Sequence, residues 1–309
     1  MQSLRDLKRR IRSVKNIGQI TKAMEVVSMT KMRRSQAFAL DARPYSIAAF
    51  EMFLNLLTMA PEQSGLLQAR PDTKKLLAVV TSDKGLAGAF NENVLRMANR
   101  WIEDRKKEGK EYALLVVGRK AKDAFERRGE PIVESFTGFG DYSTLEETEP
   151  VAKRIVGGFV AGEWSGADIA FTHFRSTLKQ EAVLRQVLPA TKEALEEAVR
   201  AIVPESGKYH ELAEEEIAET DGYSHEFIFE PSPKEILDEL IPELLKIRIH
   251  HAILESNASE HSARMVAMKS ASDNARELSG ELNLDYNKAR QSGITAELAE
   301  VVAGQASVE

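Results

Sequence analysis

The sequence predicts two long helices from opposite ends of the chain, wound into an antiparallel coiled coil, with an α/β domain between them. Three observations carry that expectation. An apolar seam of helical spacing opens the chain, a second long helical stretch closes it, and the middle alternates short β-rich runs with helical patterns.

In the first element, Leu4, Leu7, Ile11 and Val14 follow the three-then-four spacing of a helical seam. The seam is expected to continue through Ile17, Ile20, Met24 and Val27, which repeats a step of three where a four was due and locally overwinds a coiled coil. Pro44 is the expected kink or break, because it cannot donate to the helical ladder. A continuous helix over this region would be about 80 Å long. Within GQITKAMEVVSMTKMRRSQ, residues 18–36, the side chains of Ile20, Met24, Val26, Val27, Met29 and Met32 spread over more than one face. One face has a partner helix, and the second needs a partner of its own.

The closing helix starts with Pro233 in its first turn, Ser232 as cap, and Glu235 and Asp238 at the positive N-terminal end. After Pro242 nothing forbids helix until about Gly304, a span on the order of 100 Å. Its clearest seam is Met268, Ala271, Ala275, Leu278, Leu282, Tyr286 or Asp285, and Ala289. A small domain is about 30 Å across, so neither helix can be covered by a compact domain. Both must project, most economically around each other, and a connecting domain at one end makes the pair antiparallel. Toward its end, KARQSGITAELAEVVAG is rich in small residues, which suits close helix packing or a sleeve that must not grip.

Between the helices, KKLLAVVTSDKG and EYALLVVGRK each place a short apolar run before a glycine, followed by helical patterns at Asn91 to Lys107 and Arg119 to Arg128. PIVESFTG, ADIAFTHF, EAVLRQVLP and HEFIFEP add strand candidates, and a helix is expected near Thr144 to Gly162. Alternation of this kind argues for a Rossmann-like α/β domain with a largely parallel sheet. The expected boundaries are 1–60 for the first coiled-coil helix, 73–231 for the α/β domain and 232–309 for the second helix.

Composition narrows the function. A chain of 309 residues with 43% hydrophobic and 29% charged residues is ordinary for a soluble protein. No stretch approaches the roughly 20 apolar residues of a membrane span, and the N-terminus lacks a signal-peptide core, so a cytoplasmic location is expected. Absence of cysteine removes disulfides, thiolate metal sites and cysteine nucleophiles. His250 and His251 are helical neighbours about 100° apart, a poor geometry for sharing a metal. Charge is unevenly placed. Arg5, Lys8, Arg9, Arg10, Arg12, Lys15, Lys22, Lys31, Arg33 and Arg34 make the first helix basic, while residues 192–222 form an acidic insertion. A basic helix suits nucleic acid, an anionic membrane, an acidic protein surface or simple solvation.

TSDKGLAGAFN follows a strand and precedes a helix, where an anion meets a helix N-terminus. It matches neither GxGxxG nor GxxxxGK[ST], so it reads as a tight turn with Asp83 or Ser82 as a cap. Asp168 and His173 lie an odd number apart on a strand candidate and point to opposite faces. No catalytic, cofactor-binding or metal-binding constellation is expected.

Two terminal stretches then resemble a known family almost residue by residue. SLRDLKRRI with ITKAMEVVSMTKMRRSQ, and ASEHSARMVAMKSASDNA with LDYNKARQSGITAELAEVVAG, are similar to the end signatures of F-type ATP synthase gamma subunits, bacterial type. SDKGLAGAFN and FEPSPKEIL resemble that family's central motifs. The resemblance implies a non-catalytic rotor shaft inside a hexamer of alpha and beta subunits, with the α/β domain against the epsilon subunit and the membrane rotor ring. It implies no cofactor, no nucleic acid, no membrane insertion, and a peripheral place on the cytoplasmic face of the cell membrane. Lys22, Met24, Arg33, Arg34, Arg264, Arg290, Gln291 and Thr295 match its subunit-contact positions, and Phe227, Phe229 and Glu230 match its foot. Rival readings are a DNA-associated coiled-coil scaffold and a nucleotide-dependent enzyme.

Overall fold

The computed structural model describes residues 3–41, Met52, Leu56, 65–191, Glu230 and 232–306. Pro44, the acidic insertion 192–222 and the strand expected at Phe227 and Phe229 lie outside the described residues. Along the described chain run α1 (Leu4–Asp41), β1 (Lys74–Val80), α2 (Phe90–Lys107), β2 (Glu111–Val117), α3 (Arg119–Glu126), β3 (Ile132–Phe136), α4 (Leu145–Val160), β4 (Gly166–Phe174), β5 (Gln180–Leu188) and α5 (Pro233–Ala306). They divide into two compact units, Met1–Ser28 with Met265–Glu309, and Met29–Arg264.

In the Met29–Arg264 unit the strands form one sheet in the order β3-β2-β1-β4-β5. All neighbours pair in parallel except β4 and β5, which join as an antiparallel hairpin. The period-two alternation of β1 sends Leu76, Ala78 and Val80 to one face and Leu77 and Val79 to the other. Leu77 and Val79 pack with Val94, Ala98 and Ile102 of α2 and Phe125 of α3. Leu76, Ala78 and Val80 join Val151, Ile155 and Phe159 of α4 and Leu237, Ile241, Leu245 and Ile253 of α5. Both faces are therefore covered, which is why the central strands read as continuous apolar runs.

Local chemistry sets the helix starts. Thr144 and Glu147 form a reciprocal capping box at α4. Ser232 accepts from the Glu235 amide just ahead of Pro233, as the closing helix was expected to begin. Gly118 links β2 to α3 at φ +94°, and a Cβ there would lie 2.1 Å from the Thr81 carbonyl oxygen, so glycine is required.

The two long helices run antiparallel. Gly18 meets Ala275 in one unit, and Met32 packs with Ala258 in the other. The seam itself corrects the sequence reading. Buried or half-buried positions on α1 run Leu7, Ile11, Val14, Gly18, Thr21, Glu25 and Ser28, an unbroken four-three alternation without the expected phase slip, and Met24 is half-buried at its edge. On α5 they run Met268, Ala271 with Ser272, Ala275, Ser279, Leu282, Tyr286 and Ala289, so buried Ser272 joins the expected Ala271 and half-buried Ser279 takes the place of the exposed Leu278. Size rather than apolarity selects these residues. A Cβ on Gly18 would come within 3.3 Å of the Ala275 Cβ, and Ser272 Oγ donates across to the Gly18 carbonyl at 3.4 Å. Thr21 turns its hydroxyl onto its own helix, at 3.0 Å from the Ile17 carbonyl, and so brings no unsatisfied donor to the seam.

Candidate functional site

The apolar residues displaced from the seam form a second stripe. Ile17, Ile20, Met24 and Val27 keep three-four-three spacing, one residue out of register with the seam and so about 100° around the helix. Ile17 is 51%, Ile20 60% and Val27 53% exposed, and Met24 is half-buried. Val26 is exposed on a different face of α1, while α5 exposes Leu278, Leu284, Ile294 and Leu298. Leaving this much branched aliphatic surface in water forgoes burial worth about 1.5–3 kcal/mol per side chain. A grouped exposed surface of this kind marks an interaction face.

On the other flank of the seam from the stripe, a groove of about 600 Å³ lies between the helices of the same unit, lined by residues that include Gly18, Ala275 and Ser279. Lys15, Lys22 and Arg276 give its walls positive charge. Lys22 pairs with Glu25 at 2.9 Å, and Arg276 with Asp273 at 3.4 Å. The Arg276–Asp273 pair lies in the open, so its net worth is small and it is readily exchanged for outside partners, whereas the exposed Lys22 ammonium meets a Glu25 carboxylate that is buried in the seam.

In the other unit, α5 carries a buried polar column. Glu255 receives His173 Nδ1 at 2.8 Å and faces His251 Nδ1 at 3.4 Å. Burial alone raises its pKa, but bonds from His173 and His251 outweigh that and hold the carboxyl below its usual range. His250 lies 2.9 Å from the Thr148 hydroxyl, and burial with the nearby His251 lowers its pKa to about 4. The adjacent histidines thus serve different partners. Asp168 and His173 do point to opposite faces, Asp168 accepting from Trp101 on α2 and His173 meeting Glu255 on α5. Burial raises the Asp168 pKa.

The loop after β1 behaves differently from the cap expected of it. Asp83 Oδ1 accepts from the Arg119 amide at 2.8 Å, at the first residue of α3, and its Oδ2 accepts from the Gly138 amide at 2.7 Å. Ser82 pairs with Asn91 instead of capping, and α2 has no side-chain cap. An internal carboxylate therefore holds the anion position at the α3 N-terminus.

Of the residues singled out by resemblance, Lys22, Arg290, Gln291 and Thr295 are exposed in the helical-pair unit, and Met24 is half-buried there. Thr295 donates to the Gln291 carbonyl one turn earlier at 2.9 Å. Arg33 and Arg34 are exposed in the sheet-bearing unit, where the Arg34 guanidinium sits 5.3 Å from the Tyr142 ring centre. Arg264 is buried there and bonds the Gly85 carbonyl and Glu260. Glu230 is exposed, whereas Phe227 and Phe229 lie outside the described residues. The reading of single residues missed the polar cluster around Arg264, although Glu260 and Arg264 carry the four-residue spacing of a helical ion pair.

Residues 3–308 match a family model described as ATP synthase. The chain is 42% identical over 313 residues to an ATP synthase gamma chain of Geobacter metallireducens, covering all of both chains. It is 38% identical over 311 residues to one of Roseiflexus castenholzii, covering 100% of this chain and 99% of that one. Among solved structures it is similar to a chain of the Euglena gracilis mitochondrial ATP synthase OSCP/F1/c-ring assembly in rotational state 3, with a TM-score of 0.64 at 16% identity over 99% of this chain and 94% of that one. A chain of the Tetrahymena thermophila mitochondrial ATP synthase central stalk/c-ring structure gives a TM-score of 0.59 at 20% identity, covering 82% of this chain and 99% of that one. At such identities the structural likeness speaks for the fold.

Proposed function

Because this chain belongs to the ATP synthase gamma-chain family, we infer that it is the central shaft of a rotary ATP synthase, coupling ion flow through the membrane to ATP synthesis or hydrolysis. The observation that carries the reading is the outward apolar stripe Ile17, Ile20, Met24 and Val27 on a helix already paired through another face. A rod with one apolar side, turned inside a ring of alternating alpha and beta subunits, offers each catalytic subunit a different surface. A site's conformation shifts only by the difference in interaction energy between its states, and an asymmetric rod supplies that difference.

The shaft does mechanical work and makes or breaks no covalent bond. Met24 and the stripe bear on the beta subunit they face, with Lys22, Arg33 and Arg34 adding exposed attraction of about 0–1 kcal/mol each. Weak contacts suit a component that must let go. Arg290, Gln291 and Thr295 contact the catalytic subunits toward the other end of the chain. Arg264 holds its own unit together, since its guanidinium is committed to Gly85 and Glu260. Phe227, Phe229 and Glu230 form the foot toward an epsilon subunit and the membrane rotor ring. The assembly is peripheral on the cytoplasmic face of the cell membrane, and no described helix is long and apolar enough to cross it.

Reconstitution of purified alpha and beta subunits with and without this chain tests the reading. One chain per hexamer with a large rise in ATP hydrolysis is the expected result. No association, or nucleic acid bound in place of the hexamer, overturns it.

A further inference from the structure

Leu86 is the one described residue other than glycine with positive φ, at +62°, and its side chain is 64% exposed. A leucine in the left-handed region is strained and persists only when its surroundings over-determine it. The hold comes from one residue earlier. The Gly85 carbonyl accepts from Arg264 Nη2 at 3.1 Å and from Nε at 3.3 Å, a two-point grip from α5 on the loop between β1 and α2.

Arg264 is itself set by His261 one turn before it. Arg264 Nη1 lies 3.3 Å from His261 Nδ1. A guanidinium only donates, so Nδ1 is the acceptor and the ring proton sits on Nε2. Nε2 is 2.9 Å from Asp141 Oδ1, close enough for charge attraction, yet off the line of a good hydrogen bond. Around the ring stand Asp141 from the segment before α4, Lys31 from α1 bound to that same carboxylate at 2.5 Å, and Glu260 and Arg264 from α5. Asp83 of the loop adds negative charge near Glu260.

We propose that His261 is a proton-operated latch on the Gly85–Leu86 loop. A proton arriving at Nδ1 removes the lone pair that accepts from Arg264 and sets an N–H against an N–H. Two cations then face each other at hydrogen-bond distance. Arg264 withdraws, the Gly85 carbonyl loses both donors, and Leu86 is free to leave its strained conformation. The neutral ring is the resting state, for burial together with the Arg264 and Lys31 charges outweighs Asp141 and lowers the His261 pKa to about 4. Opening relieves that depression, so acid favours the open loop.

Hydrogen exchange of the whole chain, followed residue by residue from pH 7.5 to 4.5 and corrected for intrinsic rates, tests the latch. Protection of the Phe90 amide, which donates to the Ala87 carbonyl at 3.2 Å at the end of the loop, is expected to fall about tenfold per pH unit between roughly 6 and 4.5, with β1 amides staying better protected throughout. In His261→Gln, which accepts from Arg264 but never charges, loop protection should stay flat. Arg264→Gln should leave the loop open and insensitive to pH already at 7.5. A parallel fall in His261→Gln, no fall in the wild type, or β1 exchanging as fast as the loop overturns the proposal.

Discussion

Helix α5 is one element with two kinds of burial. In the sheet-bearing unit every residue from Ile249 to Ser256 is buried, so the helix has no solvent face there. In the helical-pair unit, burial after Met268 recurs only every three or four residues, and the residues between are mostly exposed. The contrast follows from how many neighbours surround the helix. A helix wedged among α4, a sheet and loops must be apolar or internally paired all round, and that is where the His173–Glu255–His251 column sits. A helix with a single partner needs only a narrow seam, and α5 fills that seam with small residues.

Substitutions sharpen the contrast. The largest effect is expected from Ile253→Ala, which empties a fully enclosed site and should cost about 2–5 kcal/mol, read as a lower denaturation midpoint with unchanged slope. Acid comes next. His250 and His261 have folded pKa values near 4, below the ordinary histidine value of 6.5, so the unfolded chain takes up protons first. Their contribution is complete above about pH 6.5 and is lost as pH falls toward 4. Thermal melts of the sheet-bearing unit should shift downward across that window, and His250→Gln should partly flatten the shift.

Gly18→Leu should do less, about 1–3 kcal/mol, because the added side chain must push apart a pair of exposed helices rather than distort a closed core. Its signature is loss of helical signal with the β-sheet amides still protected. Ile20→Ser should change stability by no more than about 0.5 kcal/mol, yet lower the stimulation of ATP hydrolysis in the reconstituted hexamer. Equal loss of folding and stimulation would return Ile20 to a packing role. Met24→Lys is expected to uncouple proton pumping more than it slows hydrolysis, measured on vesicles carrying the whole complex. Truncation after Gly293 removes the C-terminal turns of α5 and should leave the sheet-bearing unit folded while weakening assembly.

Much of this architecture was legible because it rests on local rules. The apolar run of KKLLAVV before its glycine, Ser232 as cap with Pro233 in the first turn, and the proline-free stretch after Pro242 each state their element from neighbours in sequence. The seam was not legible, for a definite reason. Apolarity was taken as the mark of the buried face, and it drew the seam through Ile17 and Ile20 with a slip that the helices do not have. Gly18, Thr21 and Ser28 carry no apolar signal, since their service is to be small. The Asp83 bonds were equally hidden, as Arg119 and Gly138 come near it only after three strands have paired.

The chain's own order of residues thus determined which segments are helix and which are strand, the two-sided burial of the central sheet, and the family signatures at both ends. Tertiary structure alone decided which stripe of α1 is the seam and which is left to meet a partner. It also decided that a carboxylate fills the α3 anion position and that His261, Arg264 and the Gly85 carbonyl form one polar unit. Backbone preference acts over a few residues, while burial and charge pairing depend on whichever distant residues the fold brings within a few ångströms.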